Sequence, residues 1–250
     1  MKKEPNFVYA KNPVLEALNS NHTIEKVLIH NTLRGDLEKE VRSICKNKNI
    51  PLKKVPVDKL DYLTRKQNHQ GLIAFLSPIN FISLQSAIDL SYDKGDNPFI
   101  IILEGISDVR NLGAIARSAH VFGADAIVYP LKHSAPINED AIKISAGALL
   151  KIPVCRMQNM EEIINLCKGN GLHIIGSTLE NSQSIRDVDL SMPLALVMGN
   201  EERGITPETK KVTDSLVRIP QATEFDSLNV SVATGILAYE IYTNRLISKQ

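Results

Sequence analysis

The segment EFDSLNVSVATG, residues 224–235, interleaves Ser227, Asn229 and Ser231 with Leu228, Val230, Val232 and Ala233. The pattern around it reads as the buried start of a long final helix. A polar group buried without a partner costs about 1–3 kcal/mol, so these side chains either cap the helix or face a ligand. Asp226 or Ser227 as cap accounts for one of them; Asn229 and Ser231, in the first turn, stay unaccounted for. A second segment, EGISDVRNLGAIARSAHVFG (104–123), ends a strand and starts a helix near Leu112, with Asn111 where an N-cap would fall. Leu112, Ile115, Ala119 and Phe122 form an apolar stripe, and at about 100° per residue Arg117 points nearly opposite it. Arg117 is then either a plain surface arginine or a guanidinium aimed at an anion near a helix N-terminus. A third segment, ALVMGNEERGIT (195–206), runs a strand into Gly199-x-Glu201-x-x-Gly204, where the glycines suit a turn and Glu201 taken alone suits a solvated loop.

These segments sit on a regular framework. Residues 7–77 alternate helix and strand signals: NPVLEALNS, GDLEKEVRSICKNKN and VDKLDYLTR as helices, IEKVLIH, IPLKKVP and HQGLIAFL as strands. Residues 78–97, with Pro78, Gly95 and a polar middle, read as a linker that holds at most one short helix. From residue 98 onward strands are expected at 99–105, 126–130, 173–178, 194–199 and 216–220, with helices between them and a long one from about Leu228. Near-continuous apolar strands alternating with helices argue a parallel α/β sheet. In such sheets ligands bind beyond the carboxyl ends of the strands, which directs attention to the loops at 106–111, 177–182, 199–204 and 220–227.

Composition narrows the chemistry. Three cysteines, Cys45, Cys155 and Cys167, form no metal spacing or disulfide framework and suit a reducing cytosol. Six dispersed histidines offer no metal or triad spacing. No G-x-G-x-x-G follows any strand, which argues against a dinucleotide-binding oxidoreductase. The longest apolar run, FIIIL, is far too short to span a bilayer, and the N-terminus has no apolar signal core, so a cytoplasmic protein is expected. The absence of tryptophan and the few other aromatics argue against an aromatic stacking platform for bases. Residues 1–83 carry 14 Lys and Arg against 8 Asp and Glu, while 84–250 carry 15 against 20. A basic first third suits either a nucleic-acid-gripping module or merely a soluble surface. His69, Gln70 and Gly71 could form an RNA-contacting loop there, or simply the turn before a strand.

Taken together and in order, N-L-G-A-I-A-R, M-G-N-E-x-x-G and I-P-x(6)-S-L-N-V-S-V-A resemble the three motifs of the SpoU (TrmH) family of SPOUT RNA 2′-O-ribose methyltransferases. The resemblance covers residues 98–250. A-K-N-P-V-L-E-A-L and H-Q-G-L-I-A resemble the ribosomal-protein-like RNA-binding domain that precedes the methyltransferase in the type acting on a 23S rRNA guanosine. It implies a C-terminal domain threaded into a deep trefoil knot, an exception to unknotted connections. It also implies S-adenosylmethionine as methyl donor, S-adenosylhomocysteine as product, no metal, and an active site completed across a homodimer. By motif position, Gly199, Ile219 and Leu228 would hold the cofactor, with Thr178 added from the loop after the third strand. Asn111, Arg117, Glu201, Ser227 and Asn229 would form the polar site, with Asn111 orienting Arg117 or the ribose and Glu201 positioning Arg117 or a substrate hydrogen-bond donor. Val109 stands where relatives often have proline, and Glu224 and Asp226 stand where relatives carry smaller, less charged residues. The alternatives are the same chemistry on tRNA and a non-enzymatic rRNA-binding assembly factor.

Overall fold

The computed structural model describes residues 6–20, 22–223 and 227–248. It comprises two compact units, 1–80 and 81–250. The first runs β1 (Phe7–Tyr9), α1 (Lys11–Asn19), β2 (Ile24–His30), α2 (Asp36–Asn47), β3 (Leu52–Val55), α3 (Val57–Thr64) and β4 (Leu72–Leu76). Its sheet has the order β1-β4-β2-β3, with β4 antiparallel to both neighbours and β2 parallel to β3. Strand alternation divides the apolar residues into two layers. Val27, Ile29, Leu72 and Ala74 pack with Val14, Leu18, Val41 and Cys45 of α1 and α2. Leu28 and Ile73 pack with Val55 and with Leu60 of α3.

The second unit contains α4 (Leu84–Asp93), β5 (Phe99–Leu103), α5 (Val109–Val121), β6 (Ala126–Pro130), α6 (Glu139–Ile144), β7 (Val154–Met157), α7 (Met160–Gly169), β8 (His173–Ser177), β9 (Gln183–Ser184), β10 (Leu194–Met198), α8 (Pro207–Val212), β11 (Ser215–Arg218) and α9 (Val230–Ser248). Its sheet is parallel throughout, in the order β7-β6-β5-β10-β8-β11-β9. Residues 99–103, 126–130 and 194–198 are buried at every position, as a sheet covered on both faces requires.

Three expectations change. The 78–97 stretch holds a ten-residue helix, α4, that belongs to the second unit: Leu84, Ala87 and Ile88 share a core with Ile100, Val128 and Ile163. Its mostly polar sequence hides a narrow apolar stripe. The segment NEDAIKISAGALL (138–150), whose pattern reads as one of the helices between the strands, breaks after Ile144, where Ala146 and Gly147 turn left-handed at φ 50° and 84°. The Gly147 N–H donates back to the Ile142 carbonyl at 3.0 Å, a glycine helix stop. Strand β7 has no counterpart in the sequence reading, because its four residues include Arg156, whose guanidinium lies 3.5 Å from the centroid of the Phe81 ring.

The last helix is tied to the sheet by Arg245. Its guanidinium donates to the carbonyls of Asn97 (2.6 Å), Met192 (2.8 Å), Leu190 (3.2 Å) and Pro98 (3.2 Å). A hydrogen bond to a charged group contributes about 1.5–3 kcal/mol. Arg245→Met should therefore lower unfolding stability by about 2 kcal/mol in a denaturant titration; unchanged stability would mean the cluster contributes nothing net.

Candidate active site

The loops after β5, β8, β10 and β11 all emerge from the carboxyl ends of parallel strands, where open α/β sheets place ligands. Three of them enclose a cavity of about 290 Å3, near the lower end of the range of about 300–1,000 Å3 usual for small-molecule sites. Thr178, Gly199, Ile219 and Leu228 all line it, as do Glu201 and Ser227. Met198, Val230 and Ala233 add apolar surface, while Arg203, Lys210 and Arg218 are matched by Glu180, Glu201 and Glu202, with Lys210 paired to Glu180 at 3.1 Å. This mix of apolar surface and a few polar groups fits an adenosyl group with a charged amino-acid tail.

The 199–204 loop folds back on itself. The Gly204 N–H donates to the Asn200 carbonyl at 2.7 Å, and Asn200 Nδ2 donates to the Gly105 carbonyl at 3.1 Å. A Cβ on Gly199 would lie 2.1 Å from the Gly204 carbonyl carbon and 2.2 Å from the Ile205 nitrogen. Only glycine fits there, so Gly199 shapes the cavity by having no side chain.

The loop's far end is fixed by Glu104, a residue that motif reading passed over. Glu104 is 8% exposed, and its carboxylate accepts from the Thr206 N–H (3.0 Å), the Thr206 hydroxyl (2.8 Å) and the Thr209 hydroxyl (2.9 Å). A buried carboxylate needs such donors, and these hold Thr206, the N-cap of α8, against the end of β5. The signal in the sequence is an acid ending the apolar run FIIIL; its partners lie a hundred residues away and were not readable.

The polar cluster centres on Asn229. Its Oδ1 accepts from the Ser231 N–H (2.9 Å), the Ser231 hydroxyl (2.5 Å) and, less closely, the Val232 N–H (3.4 Å). Asn229 is thus the cap of α9, which begins at Val230. Ser227 does not cap; it is exposed at the cavity, and Asp226 lies outside the described residues. With Oδ1 committed, the network sets the amide's orientation, and Nδ2 donates to Asn111 Oδ1 (3.1 Å) and to Glu201 Oε1. Asn229 therefore both caps a helix and joins a site. Asn111 Nδ2 and Glu201 Oε2 remain without a hydrogen-bond partner among the described residues. Ser227, Leu228 and Asn229 are exposed, not buried as the flanking apolar residues suggested.

Asn111 itself is not a cap. Helix α5 starts at Val109, and Asp108 caps it by accepting from the Arg110 N–H at 2.7 Å. The Arg110 side chain and N–H hold the Asp108 carboxyl below the usual carboxylate range. Val109 occupies the first helical position, where proline is also well tolerated. Arg117 is exposed and sits six residues on, about 9 Å along the axis at ~1.5 Å per residue. It has no hydrogen bond to Asn111 or Glu201, so neither positions it within one chain. It lines a separate groove with Ser231, Val232 and Tyr239 of α9.

In the first unit, His69 is 8% exposed and engaged at both ring nitrogens: Nδ1 accepts from the Gly71 N–H (2.9 Å), so Nε2 carries the proton given to Asp61 Oδ1 (3.2 Å). Burial removes its ring from direct contact with RNA. Gln70 is exposed, but its Oε1 accepts from the Lys11 N–H at the start of α1 (2.9 Å). Gly71 has φ 78° and supplies the turn. Burial raises the Cys155 and Cys167 thiols to about 12 and Cys45 to about 11, so none offers a thiolate at neutral pH. Among the described residues no cluster of three or more His, Cys, Asp or Glu could hold a metal ion, and no helix is long and apolar enough to cross a membrane.

Asn229→Asp separates the two duties of that residue. The carboxylate still caps α9, so stability should stay within about 1 kcal/mol. It also places a second negative charge against Glu201, which raises the pair's apparent pKa. Activity should fall at least tenfold at neutral pH and partly recover as pH falls and the pair takes up a proton. A pH–rate profile parallel to wild type would sink this account.

Comparisons with known proteins agree with the geometry. The SpoU rRNA Methylase family model matches residues 98–239, and a model for RNA 2′-O ribose methyltransferase substrate binding matches residues 7–82. A Bacillus subtilis protein named "Putative TrmH family tRNA/rRNA methyltransferase YacO" is 34% identical over 246 residues, covering 98% of each chain. A crystal structure of an AdoMet-bound rRNA methyltransferase from Sinorhizobium meliloti superposes with TM-score 0.60 at 25% identity, covering 95% of this chain and 86% of that one. The SpoU methyltransferase AviRb from Streptomyces viridochromogenes, in complex with AdoMet, shares the fold at TM-score 0.61 and 19% identity, covering 96% of this chain and 90% of that one. A cavity framed by these motif loops, a family match over more than half the chain and a near full-length relative establish that the chain belongs to the SpoU (TrmH) family of RNA methyltransferases.

Proposed function

We propose that the protein methylates a ribose 2′-hydroxyl in RNA, using S-adenosylmethionine and leaving S-adenosylhomocysteine, with a guanosine of 23S rRNA as target and tRNA as the second reading. The observation that carries it is the single network of Asn111, Glu201 and Asn229, which meets the cavity lined by Gly199, Ile219 and Leu228 through Glu201. A pure binding factor has no use for that network. The tRNA reading draws on the relative named a tRNA/rRNA methyltransferase. The trefoil knot is part of this proposal, supported by residues of the 199–204 loop lining one cavity with Ile219, Gln221, Ser227 and Leu228. An RNA substrate goes with a cytoplasmic location.

The methyl donor supplies a carbon already activated by a sulfonium. The chain's task is mainly to align the hydroxyl with that carbon and exclude water. Ile219, Leu228 and Met198 supply the apolar wall, Thr178 a hydroxyl, and Ser227 a polar group at the cavity mouth. The unengaged Asn111 amide N–H and Glu201 oxygen hold the ribose. A guanidinium does not act as a base in proteins. Arg117 instead stabilises negative charge developing on the ribose oxygen and clamps the neighbouring phosphate, while the proton passes to phosphate or water.

Arg117 acts across a homodimer in this reading. Around it, Val121, Val232, Tyr239, Tyr242 and Leu246 are 39–63% exposed, and the four from α9 form a helical stripe opposite its buried Val230, Thr234, Leu237 and Ile241. A second copy covering that stripe brings each Arg117 toward the other cavity.

Label from S-adenosylmethionine should enter the ribose of unmethylated 23S rRNA, and Arg117→Ala should abolish transfer while leaving cofactor affinity within about twofold. Label in tRNA alone would overturn the substrate, and turnover by the variant would overturn the role of Arg117. Mixing inactive Arg117→Ala and Glu201→Ala chains should restore partial activity, because a mixed dimer holds one intact site. No recovery despite subunit exchange would place Arg117 and Glu201 in the same chain's site.

A further inference from the structure

Helix α3 packs on its sheet through Leu60 and Thr64, both buried, and the half-buried Leu63. At about 100° per residue Tyr62 lies almost opposite Leu60 and Thr64, and it is 79% exposed. No packing within the unit accounts for a large ring kept in water. Among the described residues its one ring contact is the Lys59 ammonium, 5.9 Å from the centroid and one turn earlier on the same face.

Just beyond the ring, α3 ends in two consecutive left-handed residues, Arg65 (φ 55°) and Lys66 (φ 62°). Glycine is the usual residue at such a helix stop because it carries no Cβ; here both positions carry long exposed cations. Cations at a helix C-terminus complement its dipole, which accounts for a charge there but not for the aromatic side chain beside it. Two acids, Asp58 and Asp61, share one pocket with Tyr62, Arg65 and Lys66, and Asp61 also accepts the His69 Nε2–H. With Lys59, three cations stand against two acids, so the patch is net positive by one charge.

We propose that Tyr62, with Lys59, Arg65 and Lys66, is a docking surface for an unpaired stretch of the substrate RNA: one base stacks on the ring and flanking phosphates pair with the three cations. This rests on the reading of the protein as an RNA methyltransferase and assigns where its first unit grips. Stacking accepts any base, so the surface supplies affinity and the cavity loops select the nucleotide. It also replaces His69 as the contact in this region and qualifies the expectation from composition: one well-placed ring suffices.

The test uses the full chain and the RNA that wild type methylates, with Tyr62→Ala, Tyr62→Phe and the triple variant Lys59→Gln/Arg65→Gln/Lys66→Gln. Tyr62→Ala should weaken RNA binding about tenfold and raise KM for RNA, with kcat at saturating RNA and cofactor affinity unchanged. Tyr62→Phe should behave as wild type, since the ring and not the hydroxyl does the stacking. The triple variant should flatten the slope of log K against log salt by about 2, at roughly 0.7 per single-strand phosphate contact. Wild-type RNA affinity in Tyr62→Ala, or equal loss in the Phe variant, overturns the surface. So does a loss confined to binding of a protein partner. A wild-type chain that neither binds nor methylates RNA overturns the functional reading itself, and that result is separable from the others.

Discussion

The side-chain amide of Asn229 holds three segments in one arrangement. Its oxygen caps α9, and its nitrogen reaches Asn111 in the first turn of α5 and Glu201 in the loop after β10. Because an amide presents an acceptor on one side and donors on the other, the helix cap dictates which way the donors face. The site's geometry is thus anchored in a helix start. Aspartate would cap as well, and serine nearly so; only asparagine also offers an N–H to a carboxylate.

Glu104 performs the complementary task from below. Its buried carboxylate pulls the start of α8 onto the end of β5, and the 199–204 loop is thereby held at both ends. Gly199 lets that loop close on itself without a side chain in the way. The cavity wall is therefore set by a missing Cβ, a buried charge with three donors and one amide. All three act between segments far apart in the chain, as expected for a site assembled at the carboxyl ends of parallel strands.

Arg117 differs from these residues in kind. It lies on the apolar groove between α5 and α9, while the network it is expected to serve is on another side of α5. Among the described residues Arg117 makes no hydrogen bond to Asn111 or Glu201, and its groove includes Ser231, whose hydroxyl donates to Asn229 Oδ1.

Much of this was legible in the sequence. The parallel strands at 99–103, 126–130 and 194–198 follow from local pattern, because periodicity is a property of neighbouring residues, whereas Thr178, Gly199, Ile219 and Leu228 were named through the resemblance of the motif segments, and the structure lines one cavity with them. The sequence also singled out Asn229 as a polar group needing partners. Only the tertiary structure decided which residue caps which helix, since Asp108 and Asn111, or Ser227 and Asn229, are equally capable by type. Only it decided that Glu104 is a structural anchor, that His69 is buried while Tyr62 is exposed, and that Arg117 stands away from Asn111. Each of these depends on which distant segment comes within hydrogen-bonding reach, or fails to, and that distance is fixed by the packing of the whole unit and not by any stretch of its sequence.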